Sequence, residues 1–164
     1  MASRVFVGFD SEDLGYFNLM KAWKENDNIA FNFHNAHEIN NLRDGSSEGQ
    51  IKKKLRERLK DTKVLVLLIG EKTKNLYRYV RWEIEWAIEN DIPIIAINLN
   101  KNKSQDELCP PILRDELAIY IPFGQKTIDY ALNNWPTRHA KHKKDGDTGA
   151  YYYKDSVYKT LCLE

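Results

Sequence analysis

Short apolar runs that alternate with amphipathic segments constrain this chain more than any other feature. Lys63 to Gly70 (KVLVLLIG) is too short for an ordinary helix and is typical of a central strand covered on both faces. Comparable strand-like runs are Val5 to Phe9, Ile29 to His34, Ile92 to Asn98 and Leu117 to Ile121. Because helical patterns separate these runs, the sequence predicts an α/β fold with a parallel sheet between two helical layers.

Four segments have the apolar spacing of amphipathic helices: Leu14 to Trp23, Ser47 to Lys60, Leu76 to Glu89 and Thr127 to Leu132. With five strands in the order 2-1-3-4-5, the arrangement is a flavodoxin-like three-layer sandwich with an extra C-terminal segment. The regular pattern ends after Trp135. We therefore predict a domain over residues 1–134, and a C-terminal extension over residues 135–164 that is either an edge-packed hairpin or partly mobile.

Composition excludes several functional classes. The chain has 164 residues, enough for one domain with a real core, and a net charge of +1, without the basic excess of a general nucleic-acid binder. It lacks the roughly 18 consecutive apolar residues of a membrane span and the apolar core of a signal peptide. Cys109 and Cys162 form no metal or redox motif. We therefore expect a cytoplasmic protein without a structural metal, a membrane contact or a nucleic-acid partner.

Ligands of an open parallel sheet bind beyond the carboxyl ends of the strands, where the strand order reverses. The loops that follow these strands contain neither GxGxxG nor GxxxxGK[ST], so the usual motifs of dinucleotide and triphosphate binding are absent. The same rule predicts a pocket between the loop after Phe9, the loop around Asp44 and Gly45, and the start of the helix that carries Glu83. Phe9 and Asp10 are expected to face Glu83 across this pocket.

Glu83 is the most informative polar residue of its predicted helix. If Val80 marks the centre of the apolar stripe, Glu83 lies roughly 60° from that centre, Glu85 about 140° and Glu89 about 180°. Glu85 and Glu89 therefore belong to the solvent face, whereas Glu83 lies where the helix turns into the protein. Glu83 is also early in the helix, where the macrodipole favours a carboxylate.

Each polar candidate also has an ordinary structural interpretation. Glu83 could be a boundary residue paired with Arg81 or Lys74. Asp10 and Asp13 follow the first strand, where capping of the next helix is favoured over substrate contact.

Trp82 could line a pocket beside Glu83 or simply pack between helices. His139 and His142 have a spacing that can share a metal, but they lie among lysines, so a solvated basic patch is favoured over a zinc site.

Three segments together resemble the TIR-like family, and most closely the TIR-like proteins of bacterial Thoeris anti-phage defence. They are VFVGFDSED (Val5 to Asp13), KVLVLLIGEKT (Lys63 to Thr73) and YVRWEIEWAI (Tyr79 to Ile88). The resemblance covers about residues 4–123. Its most specific part is the helix pattern Trp-Val-Arg-aromatic-Glu-Ile, which is matched here from Tyr79 to Ile84.

The resemblance implies that the chain cleaves the bond between nicotinamide and ribose in NAD, with Glu83 as the catalytic carboxylate. NAD is then the substrate, no further cofactor or metal is implied, and a cyclic or conjugated ADP-ribose product would activate a separate effector protein. Gly8, Phe9 and Asp10 correspond to the Ser-Phe-His triplet typical of the family, at the substrate mouth. Gly8 and Asp10 depart from it, so substrate contacts or the product could differ.

Two other functions stay open. One is a TIR-like interaction module without catalysis, for which Glu83 would be dispensable. The other is a nucleoside deoxyribosyltransferase-like enzyme, which also uses a glutamate to break an N-glycosidic bond. The sequence leaves open whether the chain forms a homo-oligomer.

Overall fold

The computed structural model describes residues 4–26, 32–35, 48–75 and 79–161. Its sheet contains β1 (Arg4–Gly8), β2 (Asn32–Asn35), β3 (Val64–Ile69), β4 (Ile94–Asn98), β5 (Ala118–Pro122) and β6 (Ala150–Tyr152). The strand order is β2-β1-β3-β4-β5-β6, and every neighbouring pair is parallel. The predicted α/β class and the order of the first five strands are confirmed, and β6 extends the sheet by one strand.

The helices are α1 (Leu14–Glu25), α2 (Glu48–Leu59), α3 (Tyr79–Glu89), α4 (Gln125–Asp145) and α5 (Asp155–Thr160). Parts of the predicted elements, at residues 29–31, 47 and 76–78, lie outside the described residues. Among the described helices, none is both long enough and apolar enough to cross a membrane.

The sheet separates two apolar layers. One layer packs Val5, Val7 and Phe9 of the first strand region against α1 and α4. The other packs Phe6 against α2 and α3. Successive strand residues point to opposite faces, so this division follows from the alternation along β1. Residues that belong near α3 must therefore occupy the same face as Phe6.

Helix α4 is longer than the sequence predicted, because we expected regular structure to end after Trp135. The helix continues through Pro136 to Asp145 and so crosses residue 134, where we expected the C-terminal extension to begin. Trp135 and His139 are both buried and continue the apolar face of the helix. This packing outweighs the backbone hydrogen bond that a proline inside a helix removes.

The reversal of strand order lies at β1. The chain leaves β1 to form β2 on one side and later returns to form β3 on the other side. The last ladder position of β1 is Gly8, which is in register with Leu67 of β3. In open α/β sheets this end of the strands is the usual ligand crevice.

Candidate functional site

Helix α3 directs the side chain of Glu83 into the protein. Glu83 is 0% exposed, as the helical periodicity predicts, and its neighbours Val80 and Ile84 belong to the apolar layer beneath α3. Neither carboxyl oxygen of Glu83 has a hydrogen-bond partner among the described residues. Arg81 instead pairs with Glu85 on the outer surface, where Nε and Oε1 are 3.0 Å apart. The structure therefore does not support the alternative in which Glu83 forms an ion pair at the edge of the apolar face.

Burial dominates the electrostatics of Glu83. It raises the pKa of the carboxyl well above the ordinary 4.5, and among the described residues no charge or hydrogen bond offsets this effect. A carboxyl in this environment holds its proton at pH values where an exposed glutamate is ionised. A positive charge beside such a carboxyl favours its charged form and so lowers its pKa.

Gly8 and Glu83 meet at the carboxyl end of β1. A Cβ atom at Gly8 would collide with Oε2 of Glu83 and would lie 3.3 Å from its Cδ. The same Cβ position is 3.5 Å from Cδ1 of Leu67 on β3. The carboxyl group thus lies directly over the β1–β3 strand pair, at the reversal of strand order.

Phe9 does not face Glu83, contrary to our expectation. The ring of Phe9 is 3% exposed and stacks on Phe17 at a centroid distance of 5.1 Å, within the layer under α1. Because Phe9 is adjacent to Gly8 along an extended chain, its side chain points to the opposite face of the sheet. Asp10 Oδ1 accepts a hydrogen bond of 3.0 Å from the backbone N–H of Glu12, which fits the capping interpretation at the 3-10 turn Ser11–Asp13. Asp13 stands at the start of α1 without a side-chain capping hydrogen bond.

Trp82 lines a groove to which the Glu83 carboxyl does not contribute. This groove of about 200 Å³ lies between α2 and α3, and Lys52 Nζ lies 4.6 Å from the centre of the Trp82 ring. Asp44 and Gly45, the other predicted substrate-binding residues, lie outside the described residues. Of the predicted set, the structure therefore brings together Gly8 and Glu83.

Sequence reasoning missed a polar cavity of about 280 Å³ on the same edge of the sheet, formed by residues that follow β1, β3 and β4. The Asp13 carboxyl packs against Gly70, and Cγ lies 2.9 Å from the place of a Cβ there. Burial, followed by the nearby carboxylates of Asp10, Glu12 and Glu71, raises the pKa of Asp13 to about 6. The sequence signal for this cavity was the presence of acidic residues directly after β1 (Glu12 and Asp13) and after β3 (Glu71).

His139 and His142 form neither a metal site nor a solvated patch. His139 is buried against Trp135, and its Nε2 lies 3.1 Å from the carbonyl oxygen of Asp91. His142 Nδ1 lies 2.9 Å from a carboxylate oxygen of Asp147. Within the described ranges, no group of three or more histidine, cysteine or acidic side chains could hold a metal ion.

The arrangement at Glu83 suits the stabilisation of a transient cation. A single carboxyl, excluded from water and without a hydrogen-bond partner among the described residues, lies at the end of β1, the edge at which sheets of this kind usually bind ligands. In such an environment the attraction between a carboxylate and a developing positive charge is far stronger than in water.

Comparison with known families adds one finding. Residues 6–104 match the family described as Thoeris protein ThsB, TIR-like domain. The matched region covers more than half of the chain, runs from β1 past β4 and includes both Gly8 and Glu83.

Proposed function

The chain belongs to the TIR-like domain family of the Thoeris protein ThsB and takes part in Thoeris anti-phage defence, and we propose that its activity there is cleavage of the nicotinamide–ribose bond of NAD. Glu83 is the catalytic carboxyl in this proposal. The observation that carries it is the complete burial, at the end of β1, of a carboxyl that has no hydrogen-bond partner among the described residues.

The chemistry requires no group beyond this carboxyl and the substrate. The bond between ribose C1′ and the nicotinamide ring nitrogen breaks, and its electron pair leaves with nicotinamide. The positive charge of the pyridinium ring thereby moves to C1′ and the ring oxygen of the ribose, as in glycoside hydrolysis. A fixed carboxylate beside the ribose stabilises that charge in the transition state.

The raised pKa of Glu83 fits this role when substrate binding is included. In the free protein, burial favours the protonated carboxyl. The cationic nicotinamide ring lowers that pKa when it binds nearby, so the carboxyl releases its proton to the solvent as the substrate enters and is then ionised. The ionised form is then present for the step in which the positive charge reaches the ribose.

The fate of the ribosyl cation determines the product. Attack by water gives ADP-ribose, whereas attack by an adenine nitrogen or a ribose hydroxyl of the same molecule gives a cyclic product. We propose that a cyclic or conjugated ADP-ribose is the signal and that it acts on a separate effector protein. NAD is the substrate in this scheme, and no resident cofactor takes part.

The test incubates the purified chain with NAD, with and without extract from phage-infected cells, and identifies products by mass spectrometry. A parallel incubation replaces NAD with free deoxynucleosides and an acceptor base. The proposal expects nicotinamide and an ADP-ribose derivative in equal amounts, with the larger yield in the presence of the extract.

Each alternative function has its own outcome in this experiment. Base exchange on free nucleosides without any nicotinamide release would replace the proposal with the deoxyribosyltransferase-like activity. No turnover of either substrate under both conditions would favour the interaction module. Either result contradicts NAD cleavage.

A further inference from the structure

Gly8 has no side chain, and the Glu83 carboxyl occupies the place where a Cβ atom would lie. We propose that Gly8 is a positioning residue. Because Gly8 has no side chain, the Glu83 carboxyl can pack directly against the end of β1, and residue 8 offers it no side-chain hydrogen-bond donor. This inference rests on the proposed function of Glu83. It concerns the position of the Glu83 carboxyl and is separate from our expectation that Gly8 contacts substrate, which stays a prediction.

Backbone geometry does not require a glycine at this position. Gly8 is the last residue of β1, and its φ lies outside the left-handed region that glycine favours, unlike Gly146 and Gly149. A strand residue with a side chain would therefore be accepted by the backbone. The obstacle is the Glu83 carboxyl, which occupies the place of a Cβ.

The side chain that would have to move is the end of a flexible glutamate. Alanine at Gly8 should therefore displace the carboxyl by about 1 Å and leave β1 and its pairing intact. Misplacement of a reacting group by that distance typically costs up to about 10²-fold in rate. We therefore expect Gly8→Ala to leave the fold intact and to reduce the rate.

The surroundings of Glu83 explain why a donor at Gly8 should change its ionisation. On α3 the charged neighbours Arg81 and Glu85 pair with each other at the surface. The strand residues around the carboxyl on β1 and β3 are apolar, and α2 contributes Leu55 and Leu59 to this layer. Among the described side chains, no charged residue of α2 or of the segment after β1 contributes to the shifted pKa of Glu83.

Serine at Gly8 would place a hydroxyl donor against this carboxyl. A hydrogen bond to the charged form lowers the pKa of a carboxyl. Gly8→Ser should thus shift the titration of Glu83 to lower pH, whereas Gly8→Ala displaces the carboxyl without offering a donor. Gly15→Ala is the matched control, since a Cβ at Gly15 meets no atom within 4 Å.

The experiment follows the ¹³C resonance of the Glu83 carboxyl through a pH titration of the whole chain, assigned by its loss in Glu83→Gln. Nicotinamide release from NAD is measured on the same proteins under the activating condition. We expect a lower titration midpoint in Gly8→Ser, a kcat reduced by roughly 10- to 100-fold in Gly8→Ala, and wild-type values of both in Gly15→Ala.

The two readouts separate this inference from the proposed function. If Glu83→Gln abolishes nicotinamide release while both Gly8 variants keep the wild-type midpoint and kcat, the positioning role is overturned and the catalytic role of Glu83 stands. If no protein releases nicotinamide, the proposed function fails. In that case a lowered midpoint in Gly8→Ser still supports the positioning role, and an unchanged midpoint overturns it.

Discussion

The burial of Glu83 predicts a specific pH dependence of stability. Its pKa is raised in the folded state and returns toward the ordinary 4.5 when the chain unfolds. Above pH 4.5 the unfolded state has released this proton while the folded state retains it. The free energy of unfolding therefore falls as pH rises, by about 1.4 kcal/mol per pH unit, until the folded-state pKa is reached.

Glu83→Gln removes this proton and therefore removes this contribution to the slope. The difference in unfolding free energy between Glu83→Gln and wild type should increase with pH from about 4.5 upward and level off above the folded-state pKa. Since a domain of this size has a total stability of about 5–15 kcal/mol, a change of about 1.4 kcal/mol per unit is readily measured. Urea unfolding followed by tryptophan fluorescence, at half-unit steps from pH 4 to 8, provides the curves.

Glu85→Gln is the matched control on the same helix. It removes the surface ion pair with Arg81, which should cost at most about 0.5 kcal/mol. Because Glu83 remains, its contribution to the pH slope should also remain. If the Glu83→Gln and wild-type curves run parallel over the whole range, the carboxyl is not buried and unpaired as described, and the reasoning fails.

Three further substitutions test other parts of the structure. Asp13, whose pKa of about 6 exceeds the ordinary 3.8, holds its proton longer in the folded state, so its charged form reduces stability above pH 6. Asp13→Asn should raise the unfolding free energy at pH 7.5 by about 1 kcal/mol after solvent screening, and should have little effect at pH 3.5. Trp135→Ala should cost about 3–5 kcal/mol in urea unfolding, because the indole is 1% exposed between α4 and the sheet. Pro136→Ala should raise the thermal midpoint, with a gain of about 1 kcal/mol or more, because alanine supplies the N–H that proline lacks within α4.

The sequence predicted correctly those features that depend on the spacing of apolar residues within a single strand or helix. The run at Lys63 to Gly70 became the fully buried central strand β3, and the spacing on α3 placed Glu83 inward and Glu89 outward. In these cases a single period, of 2.0 or 3.6 residues, decides which face is buried. The strand order 2-1-3-4-5 was that of the flavodoxin-like class, which the alternation of strand and helix patterns indicated.

The errors arose where distant packing decided the outcome. Pro136 suggested a helix end, yet the buried side chains of Trp135 and His139 continue the helix across it. The short strand β6 has no distinctive pattern, and its place beside β5 depends on contacts far away in sequence. Phe9 is a different case. The rule for ligand crevices led us to place Phe9 opposite Glu83, although the alternation along β1 already directs Phe9 and Gly8 to opposite faces of the sheet.

The central claim is that the Glu83 carboxyl stabilises positive charge during NAD cleavage. Its most direct test is the rate of nicotinamide release by wild type, Glu83→Gln and Glu85→Gln, measured under one activating condition, with urea unfolding to verify that each variant is folded. We expect Glu83→Gln to be slower than wild type by about 10²–10³-fold, because a neutral amide cannot offset the charge, and Glu85→Gln to stay within about twofold of wild type, because its side chain lies on the outer surface. Equal rates for wild type and a folded Glu83→Gln would contradict the claim.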